Sequence, residues 1–126
     1  MTQENKIYGD LAERYIAAWN ETNADRRRDL IAKTWTETAT YVDPLMKGEG
    51  RQGIDAMVAA VQERFPGHRF ALTGKVDGFG DHLRFSWALA ADGQPALVKG
   101  TDFGHLIDGR LQSITGFIDQ MPAPQQ

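Results

Sequence analysis

From Arg69 to Asp119 the chain is written almost entirely in strand code, and this half constrains the fold more than any other feature. Four stretches, Arg69 to Val76, Leu83 to Ala91, Ala96 to Ile107 and Arg110 to Asp119, are rich in β-branched and aromatic residues. Their separators, Asp77 to Asp81, Asp92-Gly93 and Asp108-Gly109, carry hairpin residues, and the two Asp-Gly pairs suit turns whose central residues need positive φ. Consecutive hairpins predict an antiparallel meander. Along the second stretch Leu83, Phe85, Trp87 and Leu89 alternate with Arg84, Ser86, Ala88 and Ala90. One face of the sheet is therefore strongly apolar and must be covered.

The first half supplies the cover. Tyr8, Leu11, Tyr15 and Trp19 recur at helical spacing, widened by Ala12 and Ile16, and predict an amphipathic helix. Asn20 to Asn23 marks its end. Asn23 or Asp25 can cap a second helix with Leu30, Ile31, Thr34 and Trp35 on one face, while Arg26-Arg27-Arg28 reads as a solvated run, since adjacent helical positions point in different directions. Thr38 to Asp43 is a short strand stopped by Pro44, and Gly48, Gly50 and Gly53 form a turn-rich connection. Ile54, Met57, Val58, Val61 and Phe65 make a third helical stripe ended by Pro66-Gly67. Helices segregated from an antiparallel sheet give an α+β fold, the helices lying on one face of a strongly bent sheet that could enclose a cavity.

Composition narrows the function. A chain of 126 residues suits one domain, with a core over about 7–119 and a frayed tail at 120–126, and buries roughly 65 to 70% of its unfolded surface. With 14 Lys or Arg against 17 Asp or Glu, the net charge of −3 and the lack of a basic cluster argue against nucleic-acid or anionic-membrane partners. The absence of cysteine excludes a thiolate nucleophile, a Cys-ligated metal and a disulfide scaffold. Met1 to Asp10 lacks the basic-then-apolar pattern of a secretory signal, no apolar run approaches a membrane span, and a cytoplasmic location is the expectation.

Metalloprotease, phosphate-loop, nucleophile-elbow and dinucleotide motifs are all missing. His68, His82 and His105 lie on separate segments without ligand spacing, and His105 shares its face with Lys99, which suggests the outside of the sheet. Carboxyls are the better candidates. Asp43 precedes Pro44, which holds its backbone extended; it either aims into a site or hydrogen-bonds the following turn. Asp102 shares a strand face with Ala96, Val98, Gly100, Gly104 and Leu106, a small and apolar set. If that face is inward, burial raises the carboxyl's pKa and favours a neutral acid, unless Asp102 is a partnered structural residue. Tyr15 lies on the apolar stripe of the first helix, so its hydroxyl needs a buried partner. A phenol, a neutral acid and an aimed carboxylate are together what carbonyl-directed proton transfer needs: a base for the proton next to the carbonyl, and donors for the enolate oxygen.

The runs Glu13-Arg14-Tyr15-Ile16-Ala17-Ala18-Trp19-Asn20, Ala39-Thr40-Tyr41-Val42-Asp43-Pro44 and Thr101-Asp102-Phe103, with the Gly48 to Gly53 turn opening a helix, resemble the ketosteroid isomerases. The element order over about 7–119 resembles their wider superfamily, the nuclear transport factor 2-like and SnoaL-like proteins. The resemblance implies a cone-shaped, cystatin-like roll: a curved antiparallel sheet wrapped around three helices, with an apolar pocket at one end. It implies Asp43 as proton-shuttling base and Tyr15 and Asp102 as oxyanion donors, with no metal or organic cofactor. Trp19, Trp35, Tyr41, Met46, Phe65, Phe85, Trp87 and Phe117 are expected around the pocket. A small apolar carbonyl ligand and a homodimer through the outer sheet faces complete the expectation.

Two functional classes follow. One is a cofactor-free isomerase or polyketide-cyclase-like enzyme. The other is a non-catalytic ligand-binding or assembly module, in which Tyr15 and Asp43 would be bonded to backbone groups. Epoxide or ester hydrolysis in the same pocket is a third possibility and needs a positioned water.

Overall fold

The computed structural model describes residues 3–122, with side chains over 6–122. Three helices, α1 (Gln3–Asn20), α2 (Ala24–Thr34) and α3 (Gly50–Arg64), accompany six strands. The strands are β1 (Trp35–Val42), β2 (Lys47–Glu49), β3 (His68–Phe79), β4 (His82–Ala91), β5 (Val98–Ile107) and β6 (Arg110–Gln120). They form one open sheet in the order β2-β1-β6-β5-β4-β3. The fold is α+β, with the helices against one concave face.

The expected meander is present, and its tight turns lie partly elsewhere. Asp108-Gly109 is a two-residue turn with φ of 51° and 79°, as the Asp-Gly signal requires. Between β3 and β4 the turn is Gly80-Asp81, with Phe79 opposite His82, so Asp77 and Gly78 belong to the strand. Asp92-Gly93 opens a longer connection that runs to Leu97, whose N–H returns to the Leu89 carbonyl at 2.8 Å. Register shifts between Thr73 and Asp77, and at two places along β5 and β6, bend the sheet.

Three features of the first half depart from the sequence reading. Trp35 is not helical: α2 stops at Thr34 and Trp35 is already extended, with Arg51 donating to its carbonyl at 2.9 and 3.1 Å. The glycine connection contains a short strand, β2, antiparallel to β1. The third departure is at Arg27, which is buried, not solvated. Its Nε donates to Asp55 at 2.6 Å and its Nη1 to the Glu21 carbonyl at 3.2 Å, tying α2 to α3 and to the end of α1. β1 also pairs with β6 in parallel, a long-range closure that no hairpin signal encodes.

Helix α1 is fastened across edge strand β3 at both ends, which fixes Tyr15 between them. Near its start the Tyr8 ring lies over Gly78, where a Cβ would come within 2.6 Å of the ring, and the Tyr8 hydroxyl donates to the Gly80 carbonyl at 2.6 Å. At its end the Asn20 amide donates to the Phe70 carbonyl at 2.9 Å and accepts from the Phe70 N–H at 2.8 Å. The apolar face of β4 packs as its alternation predicts, with Leu83, Phe85, Trp87 and Leu89 all buried. No helix among the described residues is long and apolar enough to cross a membrane.

Candidate functional site

A cavity of about 520 Å³ opens between α1, α3 and the concave face of the sheet. Tyr15, Asp43 and Asp102 all reach it, from α1, from the turn after β1 and from β5. Of the expected wall, Trp19, Tyr41, Met46, Phe65 and Trp87 line it. The other three do not. Trp35 and Phe85 are fully buried and pack against the Tyr15 ring, with centroids 5.6 and 5.0 Å away, and so belong to the core and not to the cavity wall. Phe117 lies on the outer face of β6, exposed beside Phe103, since its parity is opposite to that of Gly116 and Ile118.

The floor is polar. Tyr15 donates its hydroxyl to Oδ2 of Asp102 at 2.6 Å, and the Trp87 indole donates Nε1–H to Oδ1 at 3.1 Å. Asp102 is 1% exposed. Burial pushes its carboxyl up to about 6, against the lowering effect of the Tyr15 and Trp87 hydrogen bonds; the Asp43 and Asp119 charges raise it further. Burial also raises the Tyr15 phenol well above its usual value, with the Asp102 charge adding to the effect. The sequence left open whether the small, apolar strand face that carries Asp102 is inward; its burial shows that it is.

Asp43 stands at the edge of the same cavity and is half-buried. Its Oδ2 accepts from the Tyr41 hydroxyl at 2.6 Å, and its Oδ1 accepts from the N–H groups of Leu45 and Met46 at 2.8 and 3.0 Å. Of the two sequence alternatives, Asp43 does hydrogen-bond the turn after β1, and it also lines the cavity. The Tyr41 phenol is raised by burial, then by the Asp102 charge and by its bond to Asp43.

Gly116 brings the two acid and tyrosine pairs together. It sits on β6 directly opposite Asp102, between β5 and the end of β1. A Cβ built on it would lie 2.9 Å from Asp102 Oδ1, 3.2 Å from Asp43 Cβ and 3.2 Å from the Tyr41 hydroxyl. Gly100 plays a similar part beneath Trp87, where a Cβ would fall 2.3 Å from the indole. Sequence reasoning missed Gly116, the Tyr41 hydroxyl and the Trp87 N–H as parts of the site. Glycine inside a strand was the available signal, because it marks close approach of another group.

The walls are aromatic. Trp19 lies 5.8 Å from Tyr41 and 5.3 Å from Phe70, and Phe70 lies 5.3 Å from Trp87, all by ring centroids. Met121 and Pro122 reach the cavity too, so the start of the expected tail takes part in the site, while residues 123–126 lie outside the described part. His82 and His105 stack on the outer face, 5.7 Å apart and away from the cavity. Among the described residues no group of three or more His, Cys, Asp or Glu is arranged to hold a metal ion.

Comparison with known proteins places this geometry in context. The model of the SnoaL-like domain matches residues 12–114. The chain is similar to the crystal structure of a candidate isomerase of the SnoaL-like family from Agrobacterium tumefaciens, with 45% identity, a TM-score of 0.87 and coverage of 91% of this chain and 99% of that one. A candidate SnoaL-like polyketide cyclase from Jannaschia matches at 20% identity and a TM-score of 0.72, covering 94% of this chain and 90% of its own. A candidate ketosteroid isomerase from Kribbella flavida matches at 19% identity and 0.70, covering 98% and 85%. The latter two speak for the fold alone. A search of curated proteins gave no match.

Proposed function

Since the chain belongs to the SnoaL-like family, we propose that it is a cofactor-free enzyme acting on a small, enolisable carbonyl compound, by proton-transfer isomerisation or by cyclisation. The observation that carries this reading is the convergence of two tyrosine-bonded carboxyls on one apolar cavity, one of them buried with its pKa raised to about 6. Environments that separate two carboxyls in this way suit a division into base and acid.

Asp43 is the base. It only accepts in its hydrogen bonds, and it removes a proton from the carbon next to the carbonyl. Tyr15 and Asp102 stabilise the oxygen on which charge then builds. With Asp102 ionised, Tyr15 donates to it. Once Asp102 is protonated that bond can reverse, with Asp102 donating to the Tyr15 oxygen and the Tyr15 O–H turning to the substrate oxygen. Substrate entry displaces water and raises the Asp102 pKa further, which favours this state. Asp43 then returns its proton to another carbon of the dienolate, or the enolate carbon attacks a second carbonyl of the same molecule and the alkoxide so formed takes the proton back from Asp43.

The test is deuterium exchange next to the carbonyl of enolisable cyclic ketones in D2O, followed by proton NMR. The native protein is expected to catalyse exchange, and Asp43→Asn to lower the rate by about 10²- to 10⁴-fold while keeping the fold and the binding of phenolic ligands. Equal exchange by the variant, or none with the native protein, overturns the reading.

A second reading, a non-catalytic ligand-binding module, is favoured by the two backbone N–H groups that hold Asp43 Oδ1. Under it, Asp43→Asn changes stability and leaves nothing catalytic to lose. Self-association is proposed under either reading, through the outer sheet face where Phe103 and Phe117 are 43% and 53% exposed.

A further inference from the structure

We propose that the ligand of this cavity is not wholly apolar but carries an anionic group, a carboxylate in its simplest form, which Arg64 holds at the cavity mouth while the carbonyl end enters toward Tyr15 and Asp102. The proposal rests on the carbonyl-directed reading of the floor and adds the charge and orientation of the substrate.

The polar groups lining the cavity are unevenly placed. Tyr15, Tyr41, Asp43, Asp102 and the Trp87 N–H are joined by hydrogen bonds or close approach around Gly116. Arg64 stands apart from them. It ends α3, is exposed and lines the cavity, with its guanidinium 5.9 Å from the centre of the Phe65 ring, itself part of the wall. It is the one basic side chain lining the cavity among the described residues. It has no ion pair and no hydrogen bond within the described chain. Both lining carboxyls are already engaged by other donors, so neither neutralises it.

Charge decides the orientation. An anionic group on a ligand is repelled from the end where Asp102 on the floor and Asp43 at the edge meet around Gly116, and attracted by Arg64, whose unpaired guanidinium offers a planar fork of donors that matches a carboxylate. Leu45 and Met121, which also line the cavity, are exposed and apolar and offer such a group no donor of their own. A ligand with a carbonyl at one end and a carboxylate at the other is thereby held carbonyl-first, the alignment that proton transfer to Asp43 requires. Burying the apolar middle of the ligand against Trp19, Phe65 and Phe70 supplies the affinity, and Arg64 supplies the direction.

The experiment compares 6-hydroxy-2-naphthoate with its methyl ester, two probes of one shape whose phenol stands for the enol oxygen, by fluorescence titration at pH 7.5. The native protein is expected to bind the carboxylate roughly three- to tenfold more tightly, as a partly exposed ion pair allows, with the preference shrinking in high salt. Arg64→Gln should abolish the preference, and Arg64→Lys should restore part of it. An arginine that merely favours the end of α3 changes stability without moving the ratio between the probes. Equal or tighter binding of the ester, a preference that survives Arg64→Gln, or no binding of either probe overturns the proposal. Tyr15→Phe separates it from the reading of the floor: if neither probe weakens while the carboxylate preference persists, the floor assignment fails and the Arg64 assignment stands.

Discussion

Asp102 and Gly116 face each other across the β5 and β6 ladder, and the place where a Cβ of Gly116 would stand is 2.9 Å from the Asp102 carboxyl. The glycine is thus what lets the carboxyl lie over the neighbouring strand and approach Asp43 and Tyr41. Gly116→Ala is expected to separate the two pairs at a cost of about 1–3 kcal/mol from overpacking. Because the Asp43 charge helps to raise Asp102, separation should lower the Asp102 pKa below its value of about 6. Carbon NMR titration of the carboxyl reads this directly, and a loss of exchange activity of about 10²-fold should accompany it, as misplacement of reacting groups produces. An unmoved Asp102 titration would show that Gly116 does not set the spacing.

Asp102 also predicts how stability depends on pH. Its carboxyl is raised from the ordinary 3.8 to about 6, so between these values the folded state holds more protons than the unfolded one. Stability from this group is therefore greatest at acid pH, falls as the pH rises through about 4 to 6, and is level above. Asp102→Asn, which mimics the protonated acid, should remove that slope and be more stable than the native protein at pH 8 by roughly 1–3 kcal/mol, the difference closing toward pH 4. Urea unfolding at several pH values measures it. A difference of the opposite sign would mean that the Tyr15 and Trp87 hydrogen bonds outweigh burial.

What could be read from the sequence was local. Alternation in β4 foretold which face carries Leu83, Phe85, Trp87 and Leu89, whereas the parity of β5 only grouped Asp102 with small and apolar residues and left open whether that face is inward; the burial of Asp102 shows that it is. Asp108-Gly109 is a turn for the reason its composition gives. Trp35 was misplaced because it lies four residues after Ile31, a spacing that a helix also uses; the change to strand is fixed by Arg51 from α3, a contact distant in sequence. Arg27 was taken as solvated because adjacency in a helix says nothing of Asp55 and Gln62 waiting on another helix. Phe117 was expected around the pocket, although its parity, opposite to that of Gly116 and Ile118, places it on the outer face beside Phe103. The Tyr41–Asp43 contact is local, two residues apart, but the approach of that pair to Tyr15 and Asp102 around Gly116 depends on the parallel pairing of β1 with β6, which no run of adjacent residues encodes.

The outer face offers a separate test. Phe103 and Phe117 pack edge to face at 5.6 Å while remaining about half exposed, a combination that suits burial against a second copy. Phe117→Asp is expected to shift the protein to a monomer in sedimentation-velocity runs without unfolding it, since the substituted side chain points away from the core. A native protein that is monomeric at tens of micromolar would remove the proposal of self-association through this face.

Trp87 should act on Asp102 in the direction opposite to Gly116. Its Nε1–H is one of two donors to the carboxyl, and the indole lies over Gly100, where no side chain competes for the space. Trp87→Phe keeps an aromatic ring in that space and removes the donor, leaving Oδ1 without its partner in a nearly dry site. The expected cost is about 1–2 kcal/mol, the usual penalty for an unsatisfied buried acceptor. Because that hydrogen bond favours the charged carboxylate, its loss should raise the Asp102 pKa above about 6, where Gly116→Ala lowers it. If protonated Asp102 frees the Tyr15 hydroxyl for the substrate, the alkaline limb of the activity profile should move to higher pH in Trp87→Phe and to lower pH in Gly116→Ala. Parallel shifts in both variants, or limbs that ignore the measured Asp102 titration, would mean that the proton on Asp102 does not govern the reaction.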